Sequence, residues 1–421
     1  MTTVEIARLQ TYLEQNLAGY MDRLQRMVAI NSFTENPAGV NALGDLTADL
    51  FAPLGFTAER VASAYDRYGN HLVLTCQGKR GEQGHTIGLI SHLDTVFPPE
   101  EEIANDFQWR VEGDRIYGPG TNDIKGGTLV IYMVLDAIRS FAPETFAAVN
   151  WVILLDASEE QEADDFGQLC LQRLESANPL AALIFEAGYI NSHSFNIVAA
   201  RKGMAQYVVT VEGKGSHAGA AHESGVNAIV QLADTVQKIA ALTDYEQGVT
   251  FNVGTIQGGT VTNRVPHYAE ARGEMRAFDG QVYQEKLGQL LALAGPKVVQ
   301  NGTGLAAKVT VSIERRTPPW PRNPLTDGLL EIWSAAATEL GWQVKPEYRG
   351  GLSDGNHIFH RIPTLDGLGP AGMNAHCSER SPDGHKDQEY VLINSFIPKT
   401  LLNTLAILKL ISRTEETYKN S

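Results

Sequence analysis

The chain has 421 residues, 43% of them hydrophobic, and a formal net charge of −15 from 34 Lys and Arg against 49 Asp and Glu. That apolar content excludes a disordered chain and suffices for the cores of two or three domains. The negative balance argues against a nucleic-acid partner, which would need a basic face, and no apolar run approaches the length of a membrane span.

Cys76, Cys170 and Cys377 are too few and too irregularly spaced for a disulfide framework. The N-terminus shows no basic segment followed by an apolar core. Both readings predict a cytoplasmic protein with no membrane partner.

In chain order, residues 4–28 carry Ile6, Leu9, Leu13, Leu17, Leu24 and Val28 at helical spacing, which predicts a helix packed on a core. From about residue 40 to 198, helix-like GDLTADLFAPLGF and GGTLVIYMVLDAIRSF alternate with strand-like NHLVLTCQG, HTIGLIS and VNWVILLD. Such alternation predicts an α/β fold, a mostly parallel sheet covered by helices.

The pattern changes over 203–313. KGMAQYVVTVEG alternates like a half-exposed strand and GVNAIVQLADTVQKIAAL reads as an amphipathic helix. VTFNVGTIQGG and YAEARGEMRAF are strands, QVYQEKLGQLLALAG is a helix and AAKVTVSIERR a strand. The order β-α-β-β-α-β is that of a ferredoxin-like α+β unit. It predicts a domain inserted into the first, with TPPWPRNP (317–324) marking the return. A helix (LTDGLLEIWSAAATELG), a buried strand (IPTLDGLG) and a closing helix (SFIPKTLLNTLAILKLISR) complete the chain.

Three apolar strands run straight into acids or a histidine: HTIGLISHLD (85–94), VNWVILLDASEEQE (149–162) and ALIFE (182–186). Ligands bind beyond the carboxyl ends of strands in an open α/β sheet. His92, Asp94, Glu159, Glu160 and Glu186 are therefore expected to converge on one pocket, and imidazole with carboxylates suits a divalent metal, zinc by default. Residues two apart in extended chain share a side, so Asp94 is placed to accept a hydrogen bond from His92.

Glu159 and Glu160, adjacent after a strand, should face different partners, one binding metal and the other taking a proton from water. Asp123, in the glycine-flanked loop GPGTNDIKGG, has two oxygens and so the means to bridge two ions. A phosphate loop is the competing reading there, but no glycine run ending in Gly-Lys-Ser/Thr is present. A late histidine, His376 or His385, lies in GLGPAGMNAHCSERSPDGH.

SHLDTVFP, GPGTNDIKGG, DASEE, IFEAG, GKGSHAGAAHESGVNA, VTNRVP, EMRAFD, GGLSDGNH and GPAGMNAH together give the chain a resemblance along nearly its whole length. It resembles the co-catalytic zinc exopeptidases and deacylases, a family that includes glutamate carboxypeptidase, aminoacylase, acetylornithine deacetylase and succinyl-diaminopimelate desuccinylase. Residues 203–230 look most like the glutamate carboxypeptidase branch.

The resemblance implies a discontinuous catalytic domain over 1–199 and 314–421, with a lid and dimerisation domain over 200–313 that makes a homodimer. One ion would bind His92, Asp123 and Glu186, the other Asp123, Glu160 and His376. Asp94 would orient His92, Glu159 would be the general base, and the peptide after Asp123 would be cis. His376 is preferred over His385 because it follows the glycine-rich GPAGMNA, the residues after it reading as an insertion. From the lid, His217 would reach the oxyanion, and Asn263 and Arg276 would hold a substrate carboxylate.

The implied reaction is metal-dependent hydrolysis of an amide or peptide bond in a small substrate with a free carboxylate. The metals would be two zinc ions, with cobalt or manganese able to serve the same ligands. An N-acyl-amino-acid deacylase or dipeptidase on the same site is the alternative, and a non-catalytic metal-binding relative a remote one.

Overall fold

A computed structural model of the chain describes residues 3–191 and 193–419. The chain divides into two units. The first comprises Met1–Ala199, Arg322–Tyr348 and Ser353–Ser421, and the second Ala200–Pro321 with Arg349–Leu352.

In the first unit the described strands form a six-stranded sheet, in the order Thr57–Ala62, Asn70–Cys76, Asn150–Asp156, Thr86–His92, Pro179–Ile184, Thr364–Leu365. The last four run parallel, and the first two are antiparallel additions. Every residue of Thr86–His92 is buried, as expected of a central parallel strand covered on both faces. On one face Ile87, Leu89, Ile153 and Leu183 share a core with Leu9, Leu13 and Leu24 of helix Thr3–Val28 and with Leu129 and Met133 of helix Lys125–Phe141.

On the other face helix Asp164–Leu174 presses Leu174 onto Gly88, where a Cβ would lie 2.7 Å from the leucine. IPTLDGLG, expected as a buried strand, contributes only Thr364–Leu365 to the sheet.

A small four-stranded sheet, Gly372–Met373, Tyr390–Leu392, Arg115–Tyr117 and Arg110–Glu112, was not foreseen. Strands of two or three residues carry no readable period. This sheet brings the chain around residue 376 beside the loop around residue 123.

In the second unit Thr250–Gly258, Tyr268–Ala277, Gly203–Glu212, Ala306–Thr317 and Gly295–Gln300 form an antiparallel sheet in that order. The helices Ala228–Ala240 and Gly280–Leu291 bury Leu232, Ile239, Tyr283, Leu287 and Leu290 in a core with Val209, Met275 and Val309. Each helix starts at a capping side chain: Asn227 accepts from the Val230 amide, and Asp279 from those of Gln281 and Val282.

The ferredoxin-like order is present with one addition. Helix Gly280–Leu291 stops short of the expected end, and Gly295–Gln300 forms an extra edge strand. The strand Ala306–Thr317 runs past 313 because it pairs with Gly203–Glu212 along its length, and the unit extends to Pro321. Among the described residues no helix is long and apolar enough to cross a membrane.

Candidate metal centre

His92 ends its strand in register with Asp156, the last residue of the neighbouring strand. Glu186 follows two residues beyond Pro179–Ile184. Asp123 precedes helix Lys125–Phe141, in a loop where Gly118 and Gly120 have φ of 146° and 75°, and the Asp123–Ile124 peptide is cis. Only glycine adopts such positive φ at little cost.

The two oxygens of Asp123 face two histidines. Oδ1 lies 3.0 Å from His92 Nε2, and Oδ2 lies 3.4 Å from His376 Nε2. His92 Nε2 is also 3.7 Å from Glu186 Oε1, and His376 Nε2 is 3.1 Å from Glu160 Oε2. Two half-sites result, one of His92 and Glu186, the other of His376 and Glu160, sharing Asp123. Donor atoms of His92, Asp123 and Glu160 lie within 4.8 Å of one another.

Glu160 Oε1 is buried and has no hydrogen-bond partner among the described residues. A buried carboxylate oxygen left unpaired is costly, and mixed nitrogen and oxygen donors suit a borderline divalent cation. The residues present therefore fit a dinuclear site.

Asp94, itself buried, orders this arrangement. Its Oδ1 lies 3.3 Å from His92 Nδ1 and accepts the Glu159 amide at 3.2 Å; its Oδ2 accepts the Glu160 amide at 3.2 Å and the Thr34 hydroxyl at 2.7 Å. His92 Nδ1 also meets the Asp94 carbonyl at 3.0 Å. With Nδ1 engaged, Nε2 is the nitrogen that faces Asp123. Glu159 and Glu160 lie in a turn rather than extended chain, because one carboxylate gathers both their amides. Thr34 escaped the sequence reading: it lies far from Asp94 in the chain, and no local pattern points from one to the other.

The electrostatics are those of crowded acids. Burial pushes Glu159 up to about 8 and Glu160 up to about 7, with neighbouring carboxylates adding to both, and burial likewise raises Glu186. Burial alone would raise Asp123 too, but hydrogen bonds with His376 and His92 hold it below the usual carboxylate range. The bonds to Asp123 and Glu160 push His376 up to about 11. Such a cluster retains protons that cations would displace.

Of the two late histidines, His376 faces Asp123 and Glu160, whereas His385 is exposed in a turn where its amide donates to Asp383. Asn374 and His376 have φ of 61° and 67°, a conformation that costs a non-glycine residue roughly 1–2 kcal/mol.

In the second unit, His217 Nδ1 accepts the amides of Gly219 and Ala220, each at 3.1 Å. Asn263 lies alongside, its carbonyl accepting the Ala218 amide at 3.0 Å. Both side chains are exposed. Arg276 is engaged: Nε and Nη2 donate to the two Glu274 oxygens at 2.8 and 3.2 Å, and Nη1 to the Gly350 carbonyl at 2.9 Å.

Residues 199–302 match the family model of the peptidase dimerisation domain. The chain is 28% identical over 383 residues to carboxypeptidase G2 of Pseudomonas sp. (strain RS-16), covering 90% of this chain and 86% of that protein. Among solved structures it is similar to aminopeptidase PepT from Bacillus cereus ATCC 10987, with TM-score 0.72, 20% identity and 94% and 99% of the two chains covered. It is also similar to the M20 family metallo-carboxypeptidase Sso-CP2 from Sulfolobus solfataricus, with TM-score 0.66, 16% identity and 93% and 99% covered. The fold is thus the α/β fold of these metallopeptidases, with the dimerisation-domain match falling in the second unit. Over most of its length the chain is similar to metallopeptidases of the M20 family, and it is a metal-dependent hydrolase.

Proposed function

We propose that the protein hydrolyses the amide or peptide bond of a small substrate bearing a free carboxylate, in the manner of a glutamate carboxypeptidase. The observation that carries this reading is the sharing of Asp123 between His92 with Glu186 and His376 with Glu160. His92, Asp123 and Glu186 would hold one divalent ion, and Asp123, Glu160 and His376 a second; zinc is the default, with cobalt and manganese acceptable to the same donors. When bound, such a pair supplies polarisation of the scissile carbonyl and a water of lowered pKa.

Glu159 is the general base. Its carboxylate takes the proton of the attacking water and returns it to the nitrogen of the leaving amine. In the metal-free centre burial raises its affinity for a proton above that of an ordinary glutamate. Asp94 fixes the turn that presents Glu159 and the ring of His92.

His217, Asn263 and Arg276 are the proposed substrate contacts of the lid. For Arg276 to take a substrate carboxylate by its two-pronged fork, that carboxylate must replace Glu274. The same pair favours a second reading, a dipeptidase, because Glu274 offers a partner to an N-terminal ammonium. An N-acyl-amino-acid deacylase would differ from both in the acyl pocket.

We place the protein in the cytoplasm, supported by three cysteines free of disulfides. The proposed partner is a second copy of the chain. Strand Thr250–Gly258 is a sheet edge, with Ile256 60% exposed, and helix Ala228–Ala240 exposes Val230 by 54%. Open edges and neighbouring apolar side chains favour pairing.

The deciding experiment is hydrolysis of C-terminal-glutamate, N-acetyl-amino-acid and dipeptide substrates by metal-loaded protein, with and without chelator. Chelator-sensitive release of glutamate supports the first reading. Turnover confined to dipeptides or to acetylated amino acids moves the assignment to the corresponding alternative.

A further inference from the structure

We infer that Glu389 is a positioning residue for the metal centre, a single carboxylate that clamps the loops carrying Asp123 and His376 at the spacing the second half-site needs. The inference rests on the dinuclear reading above.

The Glu389 side chain is fully buried, and its two oxygens divide between the two loops. Oε1 accepts the amides of Asn122 at 3.0 Å and Asp123 at 3.3 Å; Oε2 accepts the amide of His376 at 3.4 Å. The backbone of Glu389 repeats the division: its amide donates to the Cys377 carbonyl at 2.7 Å, and its carbonyl accepts the Gly118 amide at 3.4 Å. The loops are already in close contact, since a Cβ on Gly372 would fall 2.3 Å from both Asn122 Oδ1 and the Tyr390 carbonyl.

The chain that presents His376 adopts a conformation that is costly for non-glycine residues. Asn374 and His376 lie in the left-handed region, with φ of 61° and 67°, and the Oε2 contact ties the second of them down. An ordinary structural acid would satisfy whichever donors lie nearest. Here the three side-chain bonds go to two residues that carry proposed metal ligands and to the neighbour of one of them. Removing such outer support typically costs metal affinity while the ligands themselves remain.

Glu389→Gln tests this, because glutamine keeps the volume but offers one acceptor oxygen and an NH2 that cannot accept an amide N–H. One of the two loops then loses its side-chain bond to this residue. Metal-free wild type and variant are titrated with Co2+, following stoichiometry and the visible absorption of bound cobalt, with circular dichroism and melting to show that both fold. The expected result is that the wild type binds two ions, whereas in Glu389→Gln the weaker site loses about 10–100-fold in affinity and its cobalt spectrum changes. Two cobalt sites of wild-type affinity and spectrum in the variant would overturn the inference.

A wild type that does not bind two ions would instead sink the dinuclear reading, before Glu389 enters. Should Glu389→Gln fail to fold, Glu389→Asp takes its place under the same criteria. It keeps the charge but is one methylene too short to span both loops.

Discussion

The Asp94 carboxylate accepts the backbone amide of Glu159 at 3.2 Å, so the residue that orients His92 also fixes the turn bearing the proposed base. Asparagine at position 94 keeps the shape but has only one acceptor atom for the amides of Glu159 and Glu160 and the ring of His92. Asp94→Asn is expected to lower kcat by about 10–100-fold, with a smaller effect on KM. Steady-state kinetics with metal analysis of the same sample checks this; unchanged kcat would remove Asp94 from the machinery.

Glu159→Gln removes the proton acceptor while leaving the metal donors in place. Turnover is expected to fall by about 100- to 10,000-fold, with metal content unchanged. Near-normal turnover in a fully loaded variant would require another base.

Metal affinity should rise with pH. Without cations, burial and its neighbours hold Glu160 at about 7, and its hydrogen bonds hold His376 at about 11, so binding must displace protons. Apparent affinity is expected to fall about tenfold per pH unit, for each proton displaced, as pH drops below neutrality. Calorimetric titration in buffers of different ionisation enthalpy counts the protons released. Pairing free of proton release would mean that the ligands are already ionised.

His71 makes a pH-dependent contribution to stability. It is buried, with Nδ1 3.1 Å from Asp156 Oδ1 and Nε2 3.0 Å from Asp165 Oδ2. Burial acts against its charge, but the bonds to the two carboxylates outweigh it and raise its pKa to about 9. The Ala157 amide also points at Nδ1, at 3.2 Å, which would suit a neutral ring; the two flanking acids favour the protonated form.

The folded pKa lies above the unfolded value of about 6.5. The stabilisation is therefore complete below about pH 6.5 and is lost as pH rises through about 9, and it amounts to roughly 3 kcal/mol. Denaturation of wild type and His71→Gln across that range is expected to show the gap between them closing as pH rises. A gap constant with pH would mean that His71 is neutral in the folded protein.

Much of the centre was legible in the chain itself. A central parallel strand is buried on both faces and so reads as an unbroken apolar run. The first polar groups after HTIGLIS and ALIF therefore had to fall at the sheet's carboxyl edge, and His92 and Glu186 lie there. The alternation of Gly203–Glu212 and the periodicity of Ala228–Ala240 likewise announced the antiparallel second unit.

Other features were decided by contacts between segments distant in sequence. His376 rather than His385 faces Asp123 because a sheet of two- and three-residue strands carries that loop beside it. Thr34 meets Asp94, and Glu389 meets Asn122, through single hydrogen bonds that leave no local signature. Arg276 looked available in sequence but is taken by Glu274 two positions away, which the strand's alternation places on the same face. Periodicity and composition determine which residues are buried and where strands end; which carboxylate closes on which amide depends on tertiary packing.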